Sequence, residues 1–158
     1  MPEPNEFPPI PIPALLRHAR AAYGLAMRKA LESAGYDDIP KNGLYVIGGL
    51  AIGAGDIPLA VLIRDLRISK QAAGQLVDTL VNRGYLARTV DAQDRRRLIV
   101  TLTERGRAAA ATQTVARERV DADLLARVGP ECVRQARVAL SALTEMAGWD
   151  EPPRDDEA

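Results

Sequence analysis

The residues with the clearest chemical potential lie in the stretch DAQDRRR, residues 91–97. Its three consecutive guanidinium groups (Arg95, Arg96 and Arg97) are permanently charged donors that can clamp phosphates or enter a narrow minor groove of duplex DNA. Asp94 directly precedes them. Phosphate repels a carboxylate in such a loop unless a hydrogen-bond donor of the protein is bound to the carboxylate. We therefore predict that Asp94 holds one of these arginines in a fixed pose, with Arg96 as the favoured partner.

A two-stranded ribbon is predicted to carry this loop at its tip. Residues 85–90 and 98–102 are rich in β-branched and other apolar residues, which is typical of strands. Asp91 favours a turn between them. Arg88, on the first strand, is a further candidate for DNA contact.

Two short helices are predicted to precede the ribbon. Apolar residues at i, i+3, i+4 and i+7 give residues 59–66 one apolar face, with Asp56 as the N-cap and Pro58 in the first turn. After a short turn, Ser69 is predicted to cap a second helix that ends at Gly84. This order indicates a helix-turn-helix in which the second helix reads DNA. Its candidate contacts to bases and phosphates are Ser69, Lys70, Gln71 and Gln75.

Gly74 is unusual inside the second helix, where glycine costs about 1 kcal/mol relative to alanine. It would allow the helix backbone to approach DNA closely. The alternative interpretation is tight packing or neutral drift. The sequence leaves both open.

Charge is distributed unevenly along the chain, although 21 basic and 21 acidic residues balance overall. Residues 67–107 contain nine basic and four acidic residues, which gives this segment a charge of +5 and the remainder −5. A local basic region in a neutral protein is typical of a nucleic-acid footprint. The 4% aromatic content disfavours a binder of single strands, which needs stacking platforms.

Several functional classes are disfavoured by composition. The chain has one cysteine and one histidine, so it predicts neither an internal disulfide nor a zinc site. We see no catalytic constellation and no phosphate-binding glycine loop, and we expect no enzyme activity and no cofactor. Neither a membrane-spanning run nor a signal peptide is recognisable, so we expect a cytoplasmic protein without a membrane partner.

The segment ISKQAAGQLVDTLVNRGYLAR, followed by VDAQDRRRLIVTLTERGRAAA, resembles the MarR family of bacterial regulators. The resemblance covers roughly residues 14–147. The chain departs from the family at Gly74 and Gln75, where relatives often have a hydroxyl residue followed by arginine or a similar polar residue. The specific part of the match is the wing motif, which is present as Asp91, Asp94, Arg95, Arg96, Leu102, Thr103 and Gly106.

The resemblance implies a mainly α fold with a small β-wing. This is a winged helix-turn-helix whose N- and C-terminal helices form a dimerisation bundle. Asn42 is predicted to cap a helix, Thr103 to cap a long one, and Gly129-Pro130 to break it. The predicted parts are a Pro-rich arm (1–13), a helical dimerisation region (14–40 and 103–147), a winged DNA-binding region (41–102) and a tail (148–158).

The predicted function is sequence-specific binding of double-stranded DNA by a homodimeric transcriptional repressor on a pseudo-palindromic operator. The resemblance further implies relief by a small aromatic or anionic effector, whose pocket we do not assign. One alternative is a winged-helix protein-interaction module that does not bind DNA. The other is a thiol-based redox regulator that uses Cys132, although a structural role for this residue is favoured.

Overall fold

A computed structural model describes residues 10–53, 56–58, 68–96 and 98–146, with the backbone alone at residues 56–58 and 98. The predicted helix over residues 59–66 lies outside the described residues. So do Arg97, most of the predicted arm and the predicted tail.

The first two helices follow the predicted order, with corrections at their starts. Helix α1 (Ile12–Ser33) begins inside the predicted arm, and the chain leaves it through Gly35, whose φ of 84° is the left-handed conformation that glycine favours. Helix α2 is Gly43–Ile52. The predicted cap by Asn42 is wrong, because its side chain makes no capping hydrogen bond. Asn42 already has helical angles, φ −88° and ψ −11°, whereas a capping side chain requires an extended backbone.

A three-stranded antiparallel sheet replaces the predicted two-stranded ribbon. Strands β1 (Asp56–Pro58), β2 (Leu86–Val90) and β3 (Leu98–Leu102) lie in the order β1-β3-β2. The β2–β3 hairpin, here called the wing, was predicted correctly. Strand β1 was not predicted. The assignment of Asp56 and Pro58 to a helix start is wrong, because they pair with Thr101 and Ile99.

Side-chain caps fix the starts of the remaining two helices, as predicted. Helix α3 (Lys70–Asn82) begins after Ser69, whose Oγ accepts the amide N–H of Ala72 at 3.1 Å. Helix α4 (Glu104–Met146) begins after Thr103, whose Oγ1 accepts the amide N–H of Gly106 at 3.0 Å. Gly129 interrupts α4 with φ 79° and ψ 165°, and Pro130 follows it.

The chain divides into two compact units, Pro9–Arg119 and a second unit containing residues 120–158. The first unit holds a core between α2, α3 and the sheet, built from Ile47, Leu50, Val77, Leu80, Tyr85 and Val100. In the second unit, the described residues form the last part of α4 and expose large apolar side chains, including Val138, Leu140, Leu143 and Met146. Among the described residues, no helix has the length and apolarity needed to cross a bilayer.

Candidate nucleic-acid interface

Helix α3 presents a polar face because its apolar residues recur at helical spacing on the other side. Ala73, Val77 and Leu80 are fully buried in the core and fix the rotation of the helix. The side chains predicted to read DNA are consequently exposed at the start of the helix and on its outer face: Ser69, Lys70, Gln71 and Gln75.

Gly74 lies beside this polar face with open space around it. A Cβ atom built at this position meets no other heavy atom of the described residues within 4 Å. Tight packing against the described residues therefore does not explain the glycine. Close approach of another molecule, or neutral drift, remains.

The tip of the wing is shaped by two aspartates that bind backbone amides. An Oδ1 atom of Asp91 accepts the N–H of Gln93 at 2.8 Å, and that of Asp94 accepts the N–H of Arg96 at 3.0 Å. The predicted contact of Asp94 with the Arg96 guanidinium is wrong, because the carboxylate holds the backbone of Arg96 in a tight turn. Arg95 and Arg96 are exposed there.

An ion pair joins the wing to α3. The guanidinium of Arg88 on β2 donates to the carboxylate of Asp78 on α3, and both side chains are partly exposed. The pair neutralises an acid on the polar face of α3 that would repel phosphate. Sequence reasoning named Arg88 as a candidate for DNA contact but did not join it to Asp78, since nothing in the spacing indicates that the strand folds back beside the helix.

A second cluster, which sequence reasoning missed, surrounds the root of the wing. The Tyr85 hydroxyl donates to the Asp38 carboxylate and accepts from Arg105 at 3.0 Å. The Arg105 guanidinium also lies 4.4 Å from the centre of the Tyr85 ring and 3.3 Å from an oxygen of Asp38. Burial, followed by the hydrogen bond to Asp38, raises the pKa of Tyr85 to about 12. The hydroxyl therefore stays protonated and keeps both hydrogen bonds at neutral pH.

A basic cavity of about 340 Å³ lies between α1 and α2. Arg20 covers the Tyr45 ring at 4.4 Å, and Arg28 donates to the carbonyl of Lys41 at 3.0 Å. As far as the structure describes the chain, four cationic side chains, one tyrosine and no acidic residue line the cavity: Arg17, Arg20, Ala21, Gly24, Leu25, Arg28, Lys41, Leu44 and Tyr45. Such a lining attracts anions, and the aromatic ring offers an apolar wall.

Comparisons with known proteins agree with this architecture. A sequence model of the MarR family matches residues 38–97. No curated protein sequence matches the chain. The fold is similar to that of a MepR mutant from a multidrug-resistant Staphylococcus aureus clinical isolate, at 19% identity over 89% of this chain and 99% of that one, with a TM-score of 0.72.

Two further solved structures share the fold. Wild-type MarR from Escherichia coli in its apo form is 19% identical over 85% of this chain and 97% of that one, with a TM-score of 0.64. A MarR family protein of Mycobacterium tuberculosis in complex with salicylic acid is 27% identical over 85% of this chain and 96% of that one, with a TM-score of 0.60. The matched segment contains helix α3, strand β2 and the wing tip, and the fold is shared along most of the chain. Residues 38–97 thus match the model of the MarR family, and over most of its length the chain shares the fold of solved MarR family structures.

Proposed function

We propose that the protein is a cytoplasmic, homodimeric repressor that binds a pseudo-palindromic operator in double-stranded DNA and is released by a small anionic effector. The observation that carries the proposal is the presence of two exposed polar features in one compact unit. These features are the start of α3, with Lys70 and Gln71, and the wing tip, with Arg95 and Arg96. It is proposed to act by binding and not by catalysis.

Each feature contacts DNA in its own way. Gln71 and Gln75 suit bidentate hydrogen bonds to adenine in the major groove, and Lys70 suits guanine or a phosphate. Ser69 lies at the helix start, where a hydroxyl and free amides suit a phosphate. At the wing tip, Asp94 shapes the turn that presents Arg95 and Arg96, and Arg97 follows in sequence. Arg88 contributes positive charge at the root while it remains bound to Asp78.

Exposed apolar side chains support the homodimer. On α1, Ile12 is 61% exposed and Leu25 is 70% exposed, and Leu15 is half exposed. In the unit after residue 120, Val138 is 55% and Met146 is 83% exposed. Many large apolar side chains exposed on the same helices are typical of surfaces that proteins cover by association. A dimer sets two copies of α3 about one DNA turn apart, which matches a two-fold symmetric site.

The basic cavity supports an anionic effector. Its volume falls within the roughly 300–1,000 Å³ typical of small-molecule sites. Arg17 and Arg20 supply charge for a carboxylate, and the Tyr45 ring supplies an apolar wall. The M. tuberculosis relative binds salicylic acid, so salicylate is a rational first probe. Such a ligand releases DNA if it favours a spacing of the two reading helices that the operator does not match.

The first test is fluorescence anisotropy with a duplex from the gene's own upstream region and a scrambled duplex, at several salt concentrations. Preferential binding with a steep salt dependence is expected, since neutralised phosphates release counterions. Arg96→Ala should weaken operator binding by about tenfold or more. Arg119→Ala, an exposed arginine in the middle of α4, is the matched control and should bind as the wild type does. Unchanged affinity in Arg96→Ala would refute the wing assignment.

The effector is tested by calorimetric titration with salicylate. Arg20→Ala should weaken binding by about tenfold, because a charge-assisted contact is lost. Lys29→Ala removes an exposed charge from the same helix without touching the cavity, and it should bind salicylate normally. Absence of duplex binding at low salt would instead favour the interaction module that does not bind DNA. A peroxide response lost in Cys132→Ser would favour the redox regulator, since this cysteine is exposed.

A further inference from the structure

The wing leaves helix α3 through only three residues, Arg83 to Tyr85, which we call the hinge. Gly84 at its centre has φ 77°, and no atom in the described part of the chain lies within 4 Å of the position that a Cβ atom would take. Neither side-chain bulk nor local packing at Gly84 therefore restrains the direction in which β2 starts. The restraint has to come from contacts of the hinge with other elements.

Every hinge residue is held by such contacts. Arg105 donates to the carbonyl of Arg83 at 2.7 Å, and Thr103 donates its hydroxyl to the carbonyl of Gly84 at 2.5 Å. The amide of Thr103 donates to the carbonyl of Tyr85 at 3.1 Å. These contacts tie the hinge to the first turn of α4.

The loop between α1 and α2 holds the hinge from the other side. The Arg83 guanidinium donates to the carbonyl of Asp38, and the Tyr85 hydroxyl donates to the Asp38 carboxylate. Arg105 closes the arrangement by donating to both the Tyr85 hydroxyl and the Asp38 carboxylate. Asp38, Tyr85 and Arg105, here called the clasp, thus connect three segments that are distant in sequence.

The lever arm explains why this restraint matters for function. Five residues of β2 at about 3.3 Å each place the wing tip about 17 Å from the hinge. A hinge rotation of about 10° would therefore move the tip arginines by about 3 Å, whereas hydrogen bonds tolerate only about 0.5 Å of variation in length. Small losses of restraint at the hinge are amplified into lost contacts at the tip.

We propose that Asp38, Tyr85 and Arg105 are positioning residues for DNA binding, which hold the wing arginines at one orientation relative to α3. The inference rests on the proposed function, because it concerns how the wing reaches DNA. None of the three residues needs to touch DNA. Their effect on affinity is transmitted through Arg95 and Arg96.

The test is a double-mutant cycle on operator affinity, measured by anisotropy with the full chain. Tyr85→Phe removes the hydroxyl and keeps the ring that packs against Arg105 and Tyr36. It should weaken binding by about tenfold, the equivalent of one or two lost hydrogen bonds at the tip. In a chain that already carries Arg95→Ala and Arg96→Ala, Tyr85→Phe should change operator affinity little, because the arginine contacts of the wing tip with DNA are already absent.

Tyr36→Phe is the matched control. Its ring lies 6.2 Å from that of Tyr85, and within the described part of the chain its hydroxyl has no hydrogen bond, so its removal should leave affinity unchanged. Asp38→Asn is a second variant that disrupts the clasp, and it is used if Tyr85→Phe folds poorly. This substitution keeps the side-chain volume of Asp38. Circular dichroism is used to check that each variant is folded.

The outcomes separate the inference from the proposed function. Equal weakening in both backgrounds would overturn the inference, because the clasp would then act through something other than the wing. Unchanged affinity in folded Tyr85→Phe and Asp38→Asn would also overturn it and leave the proposed function intact. If the wild-type chain shows no duplex preference at all, the proposed function itself fails, and the positioning role fails with it.

Discussion

Gly106→Ala tests whether the wing root and α4 are packed as closely as the structure indicates. A Cβ atom at Gly106 would lie 2.1 Å from the carbonyl oxygen of Tyr85, and that oxygen belongs to the backbone. Since carbon and oxygen atoms in contact are normally more than about 3 Å apart, the first turn of α4 has to retreat by roughly 1 Å. The substitution therefore separates two elements and cannot be absorbed by a change of rotamer.

The cost follows from the bonds that cross this contact. Thr103 donates its amide and its hydroxyl to the carbonyl of Tyr85, both at 3.1 Å, and its hydroxyl also to that of Gly84 at 2.5 Å. Weakening these bonds at about 1 kcal/mol each, together with overpacking, should lower the free energy of unfolding by about 2–4 kcal/mol. The gain in helix propensity from alanine, at most about 1 kcal/mol, is smaller and does not reverse the sign.

The assay is urea denaturation followed by circular dichroism, at one protein concentration because association adds to apparent stability. Gly74→Ala is the matched control, since it makes the same chemical change in a helix where the new methyl group meets no described residue. It should raise the free energy of unfolding by up to about 1 kcal/mol. If the two substitutions shift stability in the same direction, the assigned contact between Gly106 and Tyr85 is incorrect.

Three further predictions follow from particular contacts. Ser69→Ala should lower the free energy of unfolding by about 1 kcal/mol, because the amide of Ala72 loses its cap, and the same denaturation assay measures the change. The pKa of Tyr85 is raised to about 12, so rising pH deprotonates this tyrosine first in the unfolded chain. Stability should therefore fall between roughly pH 10 and pH 12, and Tyr85→Phe should show a flatter decline there, while an identical slope would contradict the assignment. Gly24→Ala would place a methyl group 2.8 Å from the Tyr45 hydroxyl. Because Gly24 and Tyr45 both line the basic cavity, this substitution should weaken salicylate binding in the calorimetric titration. Gly49→Ala, whose methyl group meets no described residue, should leave salicylate binding unchanged.

Local signals in the sequence predicted the helix ends well. Ser69 and Thr103 cap the helices they were expected to cap, because a capping side chain interacts with amides only two or three residues away. Positive φ angles occur at Gly35, Gly84 and Gly129. Such a glycine can be recognised in the sequence because it follows the point at which the helical spacing of apolar residues stops. The failure at Asn42 fits the same rule, since its backbone is already helical.

Contacts between distant segments could not be predicted in this way. Strand β1 exists because Asp56–Pro58 pairs with Ile99–Thr101, and three residues alone carry no strand pattern. The hydroxyl of Tyr85 meets an aspartate 47 positions earlier in the chain. The basic cavity likewise requires α1 and α2 to be packed together before its cationic side chains share a space. In each case the partner is selected by tertiary packing.

The acids near the proposed DNA surface show how local chemistry and packing combine. A basic region that binds phosphate is weakened by free carboxylates, yet Asp78, Asp91 and Asp94 all lie on α3 or at the wing tip. Each is occupied by a donor of the chain itself: Asp78 by Arg88, Asp91 by the amide of Gln93, and Asp94 by the amide of Arg96. The general expectation that such acids must be occupied is therefore correct, although the predicted occupant of Asp94 was not. Because two of the three bind backbone amides, these acids shape the tip without consuming a guanidinium, and Arg95 and Arg96 remain available for phosphate.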